Sequence, residues 1–97
     1  MQRNANNGVS QMQNYKDMMQ LTVEKRREFF RKAYIIEMGR AHATLGYKWP
    51  IERLPAMVDK AMSEIADRRM PNGGAIDAVK KFFVCKKDED VFTFLEY

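Results

Sequence analysis

The residues with the most chemical capacity are few and scattered. His42 has no Cys, Ser or paired carboxylate near it in sequence, so no triad or metal site is apparent around it. A structural or surface histidine is the simpler expectation. Cys85 ends the run Phe82-Phe83-Val84-Cys85, where a free cysteine behaves as a small buried hydrophobe rather than a nucleophile. One Cys and one His form no internal disulfide and supply no structural zinc set, and such cysteine usage favours a reducing, cytoplasmic setting. Asp88, Glu89 and Asp90 are adjacent, whereas a calcium loop needs spaced oxygens and a distal Glu. Gly73-Gly74 lacks the following Lys-Ser/Thr of a phosphate-binding loop. No enzymatic activity, metal or cofactor is expected from these residues.

The basic residues make a more definite pattern. Lys25, Arg26, Arg27, Arg31 and Lys32 are interleaved with Phe29, Phe30 and Tyr34. On a helix such spacing lets one face meet phosphates while an apolar stripe packs inward. The cluster also lies in the first turns of the helix that would carry it, where the helix dipole disfavours cations, so helix stability alone does not account for it. From Gln20 to Pro50 seven Lys or Arg stand against three Glu, giving +4; from Lys86 to Tyr97 two Lys stand against four acids, giving −2. That asymmetry is consistent with two different surfaces. The competing reading is an ordinary solvated helix face.

At 97 residues the chain has room for one small domain with a marginal core and no deep cleft. Residues 1–13 are Asn/Gln-rich and read as a flexible arm, and 14–97 as a single domain. Thr22 as N-cap, the stripe Val23, Phe30, Tyr34, Met38, Ala41 and Leu45, and Gly46 as stop predict a helix over 23–45, with Gly39 marking a close contact or a break. Pro50 interrupts the helical pattern, and Trp49 is expected to plug the core. A second amphipathic helix starts near Pro55, with Glu64 and Arg68 as an i,i+4 pair. Met70-Pro-Asn-Gly-Gly74 breaks the chain, and Ala75–Phe82 reads as a third helix. Alternation over 83–86 and 92–95 around the charged turn Lys86–Asp90 suggests a two-stranded hairpin. The expected fold is mainly α: a small bundle of about three helices with a C-terminal β-hairpin or, alternatively, a docking tail made by Phe92, Phe94, Leu95 and Tyr97. No run of 18 apolar residues and no apolar leader is present, so a soluble, unexported protein without membrane contact is expected.

Helices followed by a hairpin resemble, in element order, the winged-helix DNA-binding domains. The third helix departs from that pattern, since it offers only Asp77, Lys80 and Lys81 as polar contacts. The end Phe92-Thr-Phe-Leu-Glu-Tyr97 resembles the C-terminal sliding-clamp-binding peptides of some tailed-phage replication and late-transcription proteins, which implies docking to a protein partner. The expectation carried forward is a non-enzymatic accessory or regulatory protein of a nucleic-acid-processing complex. Its contacts would be Lys25, Arg26, Arg27, Arg31 and Lys32 to nucleic acid or to a nucleic-acid-bound protein. One alternative is a phage-type protein inhibitor, of the anti-CRISPR or host-enzyme kind, with an adaptable surface drawn from Met12, Met18, Met19, Met57, Met62 and Met70. Another is a structural subunit that self-associates by strand pairing.

Overall fold

A computed structural model describes residues 15–46 and 48–97, so the arm expected over 1–13, with Met12, lies outside the described residues. The described chain is helical: α1 (Tyr15–Met18), α2 (Val23–Leu45), a 3₁₀ turn (Ile51–Arg53), α3 (Leu54–Ala66), α4 (Gly74–Phe82) and α5 (Asp88–Leu95). No strand occurs among the described residues. None of these helices is long and apolar enough to cross a membrane.

Local chemistry explains the boundaries of α2. The Thr22 hydroxyl accepts from the Lys25 backbone N–H (3.2 Å), and Gly46, at φ 67, turns the chain left-handed so that its N–H reaches His42 O (3.1 Å). Helix α2 runs unbroken through Gly39, where an added Cβ would sit 3.7 Å from Leu54 Cδ1. Gly39 therefore marks the approach of α3, and it is an ordinary contact rather than a break. Pro55 occupies the first turn of α3, where a missing N–H costs nothing.

Helix α2 is the hub against which α3, α4 and α5 pack. Its residues Phe30, Ala33 and Tyr34 meet Val58, Ala61 and Ile65 of α3, Ile76 and Val79 of α4, and Val91, Phe94 and Leu95 of α5 in one core. Phe83 sits at the centre, its ring stacked on Phe30 at 5.7 Å and tilted against Phe94 at 5.0 Å. The α2 stripe is buried in its N-terminal half and opens toward its end, where Leu45 is exposed.

Several expectations need correction. The C-terminal hairpin is a helix. Val91, Phe94 and Leu95, at i, i+3 and i+4, are the buried face, and the acidic triplet forms the first turn of α5. There the Asp90 carboxylate accepts from the Lys86 and Lys87 backbone N–H groups at 3.0 and 3.2 Å. Acids at a helix N-terminus are favoured by the dipole, so the charged turn is a helix start. Without strands, the winged-helix element order fails and strand-paired self-association has no strand among the described residues to act through. Trp49 is half-buried beside His42, outside the core. The Glu64–Arg68 pair does not form, because α3 stops at Ala66 and Arg68, at φ 59, turns away to Glu89. Among the described residues the methionines are largely inside: Met18 is fully buried, and Met19, Met62 and Met70 pack against the core.

Candidate functional site

Arg26 follows from the register of α2: it lies one turn before Phe30, on the side that faces α5. The residue is buried, only 5% exposed. The guanidinium donates to Phe94 O (2.7 Å) and Leu21 O (3.2 Å) and pairs with the Glu96 carboxylate (3.1 Å). Arg27 donates to Leu95 O (2.8 Å) and Glu96 O (3.2 Å) and lies 4.0 Å over the Tyr97 ring. The last carbonyls of a helix have no intrahelical donors and carry the negative end of its dipole. Arg26 and Arg27 supply that missing charge, so they serve as the C-terminal cap of α5. From the other side Arg68 donates to Tyr97 O and sits 4.7 Å over the Phe92 ring.

The five basic residues of the cluster therefore divide. Arg31 leaves the group for Asp59 on α3. Lys25 and Lys32 remain on the outer face, sharing Glu28 at 3.6 and 3.3 Å. The Glu28 carboxyl is held below its usual pKa, first by the hydrogen bond from Lys32 and then by the charge of Lys25. Such solvent-exposed pairs are weak and leave both ammonium groups free to exchange partners.

The expected partner-binding residues of the tail have their partners within the chain. Phe94 and Leu95 are fully buried, Phe92 is nearly so, and Tyr97 is half-buried under Arg27. The tail that looked free is the fifth wall of the core, and two of the five cations read as phosphate contacts, Arg26 and Arg27, hold it there. Charge opposition between the basic α2 and the acidic end was visible in the sequence; that it would be satisfied intramolecularly was not, because the strand reading aimed those residues elsewhere.

What α2 leaves to solvent is a different set. Lys25, Phe29, Lys32 and Ile36 follow one another at steps of four, three and four and lie on one exposed face, with Ala43 seven residues beyond Ile36. Phe29 is 36% and Ile36 64% exposed. Phe82 and Val84 are likewise exposed at the end of α4, and Val84 holds a left-handed φ of 57. Sequence reading missed Ile36, although its seven-residue spacing from Phe29 on the far side from the core stripe was available as a signal.

The remaining candidates are structural in their surroundings. His42 Nε2 lies 2.7 Å from Trp49 O, and the two rings meet edge-on at 4.3 Å, so the imidazole fastens the chain after α2. Cys85 is buried, and burial first, then the Asp90 charge, pushes its thiol up to about 12. A thiol held protonated is a poor nucleophile at neutral pH. No group of three or more His, Cys, Asp or Glu that could hold a metal occurs among the described residues.

Comparison with protein-family models, curated proteins and solved structures finds no match. The functional reading rests on the chain's own residues.

Proposed function

We propose that this protein is a small non-enzymatic accessory or regulatory protein of a nucleic-acid-processing complex, acting by binding through the outer face of α2. The observation that supports it is the exposed stripe Lys25, Phe29, Lys32 and Ile36 on a helix whose neighbouring cations Arg26, Arg27 and Arg31 are engaged by other parts of the fold. Alternating cations and apolar side chains on one rigid face suit a phosphate-bearing partner: the ammonium groups neutralise phosphates and the ring and the branched chain pack on bases, or on a protein already seated there. The mechanism is positioning by charge and contact, with no bond made or broken.

A titration of labelled single- and double-stranded DNA and RNA against the protein at increasing salt tests the reading. Binding that falls steeply with salt supports it, with a slope of roughly 1 per phosphate contact. Absence of binding at low salt removes direct nucleic-acid contact.

A second reading is favoured by a specific observation. Phe29 and Ile36 are large and exposed while Arg26, Arg27 and Arg31 are committed within the fold, a balance that suits a protein target, as in a phage-type inhibitor. Its signature is tight binding to one protein, lost on Phe29→Ala and Ile36→Ala, with no affinity for nucleic acid.

A further inference from the structure

Helix α4 begins without a side-chain cap. Gly73 adopts φ 132, a conformation that glycine tolerates and other residues rarely adopt, and the first amide bonded back is that of Asp77, to Gly73 O at 3.4 Å. The N–H groups of Gly74, Ala75 and Ile76 therefore have no intrahelical acceptor. Gly73 and Gly74 are both exposed, and a Cβ at either would meet nothing within 4 Å. Gly73, Gly74 and Ala75 line a groove of about 860 Å³ between α4, α3 and the C-terminal half of α2. That volume falls within the roughly 300–1,000 Å³ of sites for small organic ligands.

Tyr34 is an independent sign of a ligand. It lines the same groove, is only 6% exposed, and its hydroxyl makes no hydrogen bond to any described residue. A tyrosine so deeply buried whose hydroxyl has no protein partner among the described residues is uncommon in folded proteins. Beside it, close enough to raise the phenol's pKa after burial has done so, is Glu64. The Glu64 carboxylate also lacks a partner among the described residues: Arg68 goes to Glu89, and Lys60, four residues earlier on α3, forms no ion pair with it. Lys60 and Glu64 both line the groove.

Two sets of groups without protein partners among the described residues thus share one groove, beside the Glu37–Arg40 ion pair that also lines it: donors from the α4 amides and Lys60, and acceptors from Glu64 and the Tyr34 hydroxyl oxygen. Met38, Ala41 and Met57 add apolar lining. A simple anion would leave Glu64 unmatched, and a simple cation would leave the helix start unmatched. We propose that the groove binds a short apolar peptide with free ends, its carboxylate on the α4 amides and Lys60, its ammonium on Glu64 and Tyr34, and its side chains on the methionines. This site is independent of the outer face of α2.

Leucyl-leucine, its N-acetyl form and its C-terminal amide, titrated into the ¹⁵N-labelled full chain, test the proposal. The free-ended form is expected to shift the Gly73 and Gly74 amide resonances and to bind about tenfold more tightly than either blocked form, since each end contributes a charge-assisted hydrogen bond. Glu64→Gln, an exchange at a partly exposed position, should abolish the preference for the free amine and keep that for the free carboxylate. Tyr34→Phe should weaken the free-ended form severalfold. Equal binding of all three forms, or no shift at Gly73 and Gly74 at millimolar peptide, would overturn the proposal, as would full affinity in the Glu64→Gln variant.

Discussion

Arg26 shows how residue type and position decide a role that charge alone leaves open. An arginine fork can satisfy several carbonyls at once, and a buried one must. Truncating it leaves Phe94 O without its 2.7 Å donor inside the core, so Arg26→Ala should lower unfolding free energy by about 2–3 kcal/mol. Lys25→Ala, on the outer face, should change it by less than about 0.5 kcal/mol. Urea denaturation of the two variants reads the difference directly. Cys85 gives a second prediction at this scale. Its thiol is raised to about 12 in the fold from an ordinary value near 9.0, so the unfolded chain ionises first as pH rises. The stabilisation is complete below about pH 9 and is lost as pH rises toward 12, and burial moves Tyr15 and Tyr34 in the same direction. Thiol labelling by a disulfide reagent at pH 8 should be slow in the native protein and fast in denaturant; equal rates would place Cys85 outside the core.

At the scale of elements, the helix ends carry the most distinctive feature. Helices α3, α4 and α5 each end with a non-glycine residue turned left-handed: Arg68 at φ 59, Val84 at φ 57 and Glu96 at φ 58. Each is followed by a residue whose N–H reaches back five positions, as in Cys85 to Lys80 O at 2.8 Å. A β-branched residue is the most strained of the three, and Val84 is also exposed. Val84→Gly should therefore stabilise the fold by about 1 kcal/mol, read as a raised thermal midpoint, whereas an unchanged or lowered midpoint would mean that the Val84 side chain supports the turn. These ends also mark where sequence reading stops. Helix α2 was legible to the residue because Thr22 and Gly46 bracket a periodic stripe, and α4 to within one residue because Pro71 and the glycines open it. Helix α5 was not, since Phe92 and Phe94 alternate over a stretch too short to separate period two from period 3.6. The decisive signal was the acidic triplet Asp88–Asp90, which favours a helix start as strongly as a polar turn. Glycine-free C-caps gave no warning of where α3 would stop, and so Glu64 and Arg68 were paired wrongly. The Tyr34 groove depends on where α4 begins relative to α2, a tertiary fact that no local pattern carries.

For the whole molecule, the two sides of one helix differ in kind. The inner side of α2 organises the core and, through Arg26 and Arg27, secures the acidic end of the chain; the outer side leaves Lys25, Phe29, Lys32 and Ile36 exposed, and it is the face proposed above for binding. Stability and binding should then separate cleanly by face. Replacing Arg27 by Glu would put a carboxylate against the α5 carbonyls and unfold the chain's end, so any loss of binding there would say nothing about phosphates. The direct measurement is a salt titration of nucleic-acid binding by the wild-type protein and the Lys25→Glu/Lys32→Glu variant, with denaturation curves for both. The account predicts unchanged unfolding midpoints within about 0.5 kcal/mol and a salt slope reduced by about 2 in the variant, roughly 1 per lysine removed. Identical binding and slope in the two proteins, or no binding by the wild type at low salt, would contradict it.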